Sequence, residues 1–310
     1  MKIVALAGGV GGAKLVDGLA RALPGDDLTV IVNTGDDFEH LGLHISPDLD
    51  TVSYTLAGLA NPDTGWGRAR ESWRVLSNLE RLGGPVWFRL GDQDLATHLE
   101  RTRLLTTGQP LSEVTARFCL AWGIKACVLP MSDQPVQTIV QTDQGELAFQ
   151  EYFVHRQCEP TVTGFEFRGA SAASPAPGVL ESIEAADAVV VCPSNPWVSI
   201  GPILAVPGIK EAVKRRASVA ISPIIAGATV RGPAAKMYAE MGIKPSAAAV
   251  ANHYRDLIRG FVLDERDSKL QGEVSRYMMR VLVTQTLMKN IQDRRRLAEQ
   301  VLEFIGANLR

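Results

Sequence analysis

A glycine-rich segment near the start of the sequence has the residue types and spacing of a phosphate-binding loop. A short apolar run is followed by Gly8, Gly9, Gly11 and Gly12, and then by Lys14. Glycines let the backbone approach phosphate oxygens that a Cβ atom would exclude, and a helix N-terminus offers free N–H groups and the positive end of its dipole. We therefore expect this loop to bind a phosphate or a nucleotide; a plain strand-to-helix turn is the alternative.

The loop matches neither of the two common phosphate-binding patterns. A Walker loop carries Ser or Thr directly after its lysine, whereas Leu15 follows Lys14. The dinucleotide fingerprint lacks its last glycine or alanine, and the second predicted strand ends in Asn33 and Thr34 where a dehydrogenase carries an acidic residue for the ribose. A nicotinamide-dependent oxidoreductase is therefore only a minor alternative.

The segment 33–50 concentrates carboxylates, among them Asp36, Asp37, Asp48 and Asp50. Hard oxygen ligands of this kind suit Mg²⁺, which takes one or two carboxylates together with ligand phosphates and water. These four aspartates are therefore the candidate metal ligands. For Asp48 the alternative is an N-cap of the following helix, and for Asp50 it is compensation of the helix dipole.

Two histidines, His40 and His44, lie in the same segment and are candidate bases or loop hydrogen-bonding residues; the sequence leaves both readings open. Arg89 follows a short apolar run and precedes a predicted helix. An arginine there can bind phosphate through two N–H groups of its guanidinium, or stack its guanidinium on a flat ring. A salt bridge to Asp92 or Asp94 is the alternative.

Small polar residues follow several predicted strands of the chain. Pro193, Ser194 and Asn195 come after the strand 188–192, and Ser222 ends the strand near 219. In an open parallel sheet, ligands bind outside the carboxyl ends of the strands. We therefore expect these turns, the glycine loop and the turn that begins at Asn33 to form one site.

The alternation of strand and helix patterns predicts an α/β fold with a doubly wound, mostly parallel, Rossmann-like sheet. We expect one α/β domain over 1–310, with an inserted subdomain of antiparallel ribbons near 130–175, where apolar and polar residues alternate. Helical periodicity also predicts a helix between 66 and 82 and a long final helix from about 275 to 305.

The composition of the chain indicates which kinds of partner it binds and in which compartment we expect it. The formal charge of −2 gives no basic field for nucleic acid or an anionic membrane. The four cysteines have neither metal-ligand spacing nor a close pair. No signal peptide and no apolar stretch of bilayer length is recognisable. We expect a cytoplasmic protein that binds small molecules, not nucleic acid or membrane.

Taken together, these segments resemble the 2-phospho-L-lactate transferase family of deazaflavin coenzyme biosynthesis. The resemblance runs in order along nearly the whole chain. Its motifs are Gly8–Leu15, Asn33-Thr34, Ile45–Val52, Arg89–Asp92 with 96–98, Leu129–Asp133, Pro193–Pro196 with Ser199–Pro202, Ser222–Ile225 and Asp264–Asp267.

The resemblance implies transfer of a phospholactyl-type group from a guanosine diphosphate-linked donor to the ribityl chain of the deazaflavin alcohol Fo, with release of GMP and a requirement for Mg²⁺. The product would be a precursor in coenzyme F420 biosynthesis. Whether the donor carries lactate, enolpyruvate or glycerate stays open. By position, Asp50 and Arg89 match deazaflavin-site residues, and Gly8–Gly12 with Pro193–Asn195 would hold the guanine nucleotide. A homodimer is also expected.

Chemical reasoning agrees with this assignment of Asp50. A primary alcohol is a poor nucleophile at neutral pH, so its attack needs a carboxylate within hydrogen-bond reach to accept its proton. The alternative function is a nucleotide-sugar-binding regulatory protein of a related family with a similar glycine-rich opening. The Ile45–Val52 segment and Arg89 favour the transferases.

Overall fold

The computed structural model describes residues 1–309 and contains a central sheet of seven strands. These strands are β1 (Ile3–Ala7), β2 (Leu28–Val32), β5 (Cys127–Pro130), β9 (Ala188–Val191), β10 (Ala217–Ile221), β13 (Gly260–Asp264) and β14 (Arg280–Thr284). Their order across the sheet is β14-β13-β10-β9-β1-β2-β5, and every neighbouring pair is parallel. The predicted α/β fold class is confirmed.

Helices cover both faces of this sheet. They are α1 (Gly9–Ala22), α2 (Pro47–Leu56), α3 (Arg74–Arg81), α4 (Asp92–Thr106), α5 (Leu111–Ala121), α6 (Val179–Ala185), α7 (Gly201–Ala205), α8 (Ile209–Lys214), α9 (Ala234–Glu240), α10 (Ala247–Tyr254), α11 (Gln271–Ser275) and α12 (Ile291–Asn308). No helix within residues 1–309 is both long enough and apolar enough to cross a bilayer.

The apolar core is divided by the sheet into two layers. Side chains of β1 alternate between them, so that Val4 packs with α6, α8 and α10 on one face while Ala5 packs with α1 and α12 on the other. Helices α1 and α12 cross closely at Gly18, where a Cβ atom would lie 2.2 Å from the carbonyl oxygen of Arg294. This crossing fixes the helix that begins at the glycine loop.

Three small antiparallel sheets flank the central one. They consist of β3 (Phe38–His40) with β4 (Leu43–Ile45), of β11 (Ile224–Ile225) with β12 (Ala228–Thr229), and of β6 (Gln137–Thr142) between β7 (Gly145–Ala148) and β8 (Val162–Arg168). The three-stranded sheet falls inside the range predicted as an insertion. The division of the chain into one domain with an inserted subdomain stays a prediction.

Two helices predicted from periodicity are wrong in extent. The stretch 275–305 contains strand β14 before α12 begins at Ile291, because Arg280–Thr284 pairs along the edge of the sheet with β13. Between 66 and 82 only Arg74–Arg81 is helical, since Gly65 and Gly67 adopt positive φ angles and the chain before α3 forms turns. In the insertion, β7 ends at Ala148 and a helical turn follows.

Candidate functional site

The glycine loop and the turn after β9 meet where the strand order changes direction. From β1 the chain proceeds through β2 and β5 on one side and through β9, β10, β13 and β14 on the other. Such a switch point opens a crevice at the carboxyl ends of the strands. The backbone N–H of Gly8 donates to Ser194 Oγ at 3.2 Å, and Ser194 Oγ donates to the carbonyl oxygen of Gly8 at 2.8 Å. Two predicted parts of the site are therefore in direct contact.

Close packing between these loops explains two of the glycines independently of any ligand. A Cβ atom on Gly11 would lie 2.5 Å from the carbonyl oxygen of Pro193, and one on Gly12 would lie 2.5 Å from Ser194 Oγ. Gly9, the first residue of α1, adopts a φ of +64°, a conformation that L-residues with side chains rarely take. Backbone geometry alone thus requires a side-chain-free loop here.

A cavity of about 700 Å³ opens at this edge of the sheet. That volume is typical of a site for a small molecule or cofactor. Its lining includes Gly8, Gly9, Gly11 and Lys14 from the glycine loop, and Pro193, Ser194, Asn195 and Ser222 from the turns after β9 and β10. Gly12, Asn33 and Thr34, which the sequence also suggested as nucleotide contacts, lie outside the cavity lining.

Basic side chains give one part of the cavity a positive character. Lys14 Nζ donates to the carbonyl oxygen of Met288 at 3.1 Å. Burial lowers the pKa of Lys14, and the positive charges of Arg294 and Arg231 lower it further. An anionic group bound beside Lys14 would relieve this repulsion, so this part of the cavity suits an anionic group.

Asp48 is held against the glycine loop. Its Oδ1 accepts the N–H of Gly9 at 2.7 Å, and its Oδ2 accepts from Asn33 Nδ2 at 2.9 Å. The proposed N-cap role of Asp48 is wrong: α2 begins at Pro47, so Ser46 occupies the cap position, and Asp48 points its carboxylate at the loop. Asn33, fully buried, thus contacts Asp48 rather than the cavity.

Asp36 and Asp48 form a buried acidic pair at the cavity wall. Burial raises the pKa of Asp48 to about 6, against hydrogen bonds from Asn33 and Gly9 that lower it. Burial and the charge of Asp48 raise the pKa of Asp36 well above its usual range. Asp36 Oδ1 is buried and accepts no hydrogen bond within residues 1–309. A cation between two such groups would satisfy them, so the pair fits a divalent metal.

The other two predicted metal ligands have protein partners. Asp37 Oδ2 accepts from Ser46 Oγ at 2.7 Å and lies 3.2 Å from His44 Nε2. Its Oδ1 accepts no hydrogen bond within residues 1–309, but Asp37 does not line the cavity. Asp50 lines the cavity, but both its oxygens contact Arg101. The described part of the chain holds no cluster of three or more His, Cys, Asp or Glu residues suited to a metal. An Asp36–Asp48 site would therefore need oxygen ligands from substrate or water.

A network of buried polar side chains, which the sequence analysis missed, joins α2 and α4 along the cavity wall, with Arg101 behind that wall. Asp50 Oδ2 accepts from Arg101 Nη1 at 3.0 Å, and the same Nη1 lies 3.2 Å from His98 Nδ1. His98 Nε2 lies 3.4 Å from Asp94 Oδ1, which accepts from the Tyr54 hydroxyl at 2.7 Å.

Helical spacing is the signal that could have revealed this network. Asp50 and Tyr54 are four residues apart on α2, and Asp94, His98 and Arg101 occupy one face of α4 at intervals of four and three. Polar residues in such positions face a neighbouring helix rather than solvent. Their burial confirms this, since His98 is 2% and Arg101 is 3% exposed.

Aromatic side chains line another part of the cavity. Trp87, Phe88, Phe149 and Phe153 all contribute to the lining, and the rings of Phe149 and Phe153 are stacked with centroids 5.4 Å apart. His40 packs edge-on against Trp87 at 5.2 Å, behind this wall. Flat apolar surfaces of this kind suit a planar ring system.

Arg89 is exposed and lines the cavity. Its guanidinium carbon lies 4.5 Å from the centroid of the Trp73 ring, a cation–π contact. The alternative of a salt bridge to Asp92 or Asp94 is wrong: Asp92 accepts from Ser72 and from the N–H groups of Arg74 and Val75, and Asp94 accepts from Tyr54.

Comparison with known proteins identifies the family. The family model "2-phospho-L-lactate transferase CofD" matches residues 3–309. A phosphoenolpyruvate transferase of Streptomyces griseus is 46% identical over 312 residues, covering 98% of each chain. A 2-phospho-L-lactate transferase of Methanosarcina acetivorans is 42% identical over 300 residues, covering 97% of this chain and 98% of the relative.

Among solved structures, a member of the UPF0052 family from Bacillus halodurans is similar in fold. Two crystal structures of it give TM-scores of 0.61 and 0.64 at 14% and 16% identity, each covering 97% of this chain and 98% or 99% of that one. At this identity the likeness concerns the fold alone, whereas the sequence matches extend from β1 to the end of α12. The chain described here belongs to the 2-phospho-L-lactate transferase CofD family of transferases.

Proposed function

We propose that this protein transfers a phospholactyl-type group, carrying lactate, enolpyruvate or glycerate, from a guanosine diphosphate-linked donor to a ribityl hydroxyl of the deazaflavin alcohol Fo, releasing GMP. The observation that carries this proposal is one cavity that combines a glycine loop at a helix N-terminus with an aromatic wall. The first part suits a diphosphate and the second a planar tricyclic ring. In this role the protein acts in coenzyme F420 biosynthesis.

The donor diphosphate would lie against the first turn of α1. The N–H groups there have no partner of their own within the helix, and Lys14 adds a positive charge beside them. The turn Pro193–Asn195, which lines the same cavity, offers backbone and amide groups to the guanosine half. Together these groups stabilise the charge that develops on the departing GMP.

Mg²⁺ is the cofactor that the acidic pair would hold, through Asp36 and Asp48. When bound, it would neutralise charge on the diphosphate oxygens. Asp36 and Asp48 line the cavity, and Asp36 Oδ1 accepts no hydrogen bond within residues 1–309. Asp37 does not line the cavity, and both oxygens of Asp50 contact Arg101, so these two carboxylates suit the metal less well.

Asp50 would accept the hydrogen bond, and then the proton, of the attacking hydroxyl. The new bond joins this hydroxyl oxygen to the phosphorus that carries the acyl group, and the bond from that phosphorus to the GMP oxygen breaks. A carboxylate has about four acceptor positions, so the two contacts with Arg101 leave room for one more donor from the cavity side. Arg89 and the ring of Trp87 would hold the deazaflavin.

The decisive experiment offers the protein Fo, Mg²⁺ and one of three guanylylated donors, carrying lactate, enolpyruvate or glycerate, in separate reactions. Mass spectrometry of the products identifies both the transferred group and GMP. We expect one donor to give a phosphodiester of Fo at a rate well above that of the other two. Absence of product from all three donors would overturn the proposed function.

A further inference from the structure

The carboxylate of Asp50 is clamped from the side opposite to the cavity. Asp50 lines the cavity, whereas Arg101 does not, so the guanidinium approaches the carboxylate from within the protein. Both guanidinium Nη atoms contact it, each on a different oxygen. A two-point contact of this kind fixes the plane of a carboxylate, whereas a single contact would allow it to rotate.

Arg101 is itself held in place on its other sides. Its Nη1 lies 3.2 Å from His98 Nδ1, and its guanidinium carbon lies 5.9 Å from the centroid of the Phe118 ring. On its other side, His98 Nε2 lies 3.4 Å from Asp94 Oδ1, within ion-pair distance of that carboxylate. Since Asp94 and His98 precede Arg101 on the same helix face, α4 carries the whole support as one rigid unit.

A buried arginine is costly unless it has a specific partner, and a pair placed only for stability is readily replaced by apolar residues. Here the pair is placed so that one face of a reactive carboxylate remains open to the cavity. We propose that Arg101 is a positioning residue that fixes the orientation of the Asp50 carboxylate toward the acceptor hydroxyl, and that His98 keeps Arg101 in place. This inference rests on the proposed function, because it assigns the reacting hydroxyl to Asp50.

The test is a double-mutant cycle on the transfer reaction with Arg101→Lys, Asp50→Asn and the double variant. Lysine keeps the positive charge but cannot contact both carboxylate oxygens as a guanidinium does, so the Asp50 carboxylate becomes free to rotate. We expect Arg101→Lys to lower kcat by roughly 10–100-fold, the loss typical of a misplaced reacting group, with the KM for the nucleotide-linked donor within about 3-fold of wild type. In the Asp50→Asn background, the same change should alter kcat by less than about 3-fold, since there is no carboxylate left to position.

Arg103→Lys is the matched control, because Arg103 lies on the same helix, is exposed and forms its ion pair with the exposed Glu100. It should leave kcat unchanged. A second pair tests His98: His98→Asn keeps an acceptor near the Nδ1 position and should retain most activity, whereas His98→Leu should behave like Arg101→Lys. This pair replaces the first if Arg101→Lys does not fold.

Three results would overturn the inference while leaving the proposed function intact: an active wild type with Arg101→Lys at near-normal kcat, equal losses from Arg101→Lys with and without Asp50, or equal activity of the two His98 variants. An inactive wild type would instead overturn the proposed function, and the inference with it.

Discussion

Asp48 Oδ1 accepts a hydrogen bond of 2.7 Å from the backbone N–H of Gly9, at the start of the helix that the phosphate loop introduces. The carboxylate of Asp48 thus takes the N–H group of Gly9 at the point where a phosphate oxygen would approach. Two anions cannot share this position without a proton or a cation between them. The protonation state of Asp48 and the presence of a metal should therefore control both stability and ligand binding.

The pKa of Asp48 predicts how stability depends on pH in the absence of metal. The folded pKa of about 6 lies above the unfolded value of 3.8, so the folded protein binds more protons between these values. The resulting stabilisation is fully present below about pH 4 and is lost as the pH rises through 6. It amounts to about 3 kcal/mol of unfolding free energy at most.

Urea unfolding in a chelator at pH 5, 6 and 7.5 measures this dependence. Because other carboxylates also titrate, the quantity to follow is the difference between wild type and Asp48→Asn, which should change in favour of the wild type as the pH falls. A difference that is independent of pH across this range would contradict the assigned pKa.

Removal of divalent metal should abolish transfer, and added Mg²⁺ should restore it. Asp36→Asn should weaken the apparent affinity for Mg²⁺ by roughly 10-fold or more, because one of two acidic ligands is lost. Asp37→Asn, whose carboxylate contacts His44 and Ser46 instead, should leave the metal titration nearly unchanged. The assay is initial rate against free Mg²⁺, and full activity in excess chelator would refute the requirement.

Nucleotide binding should depend on the close contact between Gly11 and Pro193. Gly11→Ala places a Cβ atom 2.5 Å from a carbonyl oxygen that cannot move without shifting the turn, so we expect a loss of roughly 1–3 kcal/mol in stability and a weaker response to GDP. Gly272→Ala is the control, because no atom of residues 1–309 outside its immediate surroundings on the helix lies within 4 Å of a Cβ atom there.

Thermal shift with GDP, ADP and UDP reads out both effects. At equal concentrations GDP should raise the melting temperature of the wild type most, because the stabilisation by a ligand grows with the logarithm of its concentration divided by its Kd. If UDP-sugars stabilise the protein better than GDP does, the nucleotide-sugar-binding regulatory protein becomes the better description.

Asp50→Asn should lower kcat by roughly 10²–10⁴, the range expected for removal of a general base. It should also destabilise the protein by roughly 1–3 kcal/mol, because the buried guanidinium of Arg101 loses its charged partner. Both quantities are measured on one preparation, with Asp256→Asn, an exposed carboxylate, as the control. Near-normal kcat of the folded variant at saturating Fo would remove Asp50 from the chemistry.

The sequence predicted the sheet well where strand and helix patterns alternate, since buried parallel strands such as Val189–Val191 are continuous apolar runs. It failed at β14, whose first four residues are incompletely buried because the strand lies at the edge of the sheet. The short apolar run Val281–Val283 fits a strand or a helix segment equally well, so periodicity alone joined Arg280–Thr284 to α12. Burial at the sheet edge depends on the neighbouring strand, which local periodicity cannot show.

The residues of the candidate site likewise fall into those that the sequence predicted and those that it missed. Residues directly after strands, such as Gly8, Ser194 and Ser222, line the cavity as the parallel topology predicts. The helix-borne residues His98 and Arg101 were missed because their meaning depends on the packing of α4 against α2. The same packing gives Asp50 a partner on α4, Arg101, whereas Asp48 contacts the glycine loop and Asn33. Metal binding by the four aspartates, the deazaflavin role of Arg89 and the homodimer stay predictions.

The cavity draws its lining from residues between Gly8 and Met288, at opposite ends of the chain. Lys14 follows the glycine loop, whereas the carbonyl that accepts from it, at Met288, follows β14 at the edge of the sheet. Residues far apart in sequence must therefore come together before this part of the cavity wall is complete. The integrity of the cavity beside the glycine loop therefore depends on the segment that follows the edge strand β14.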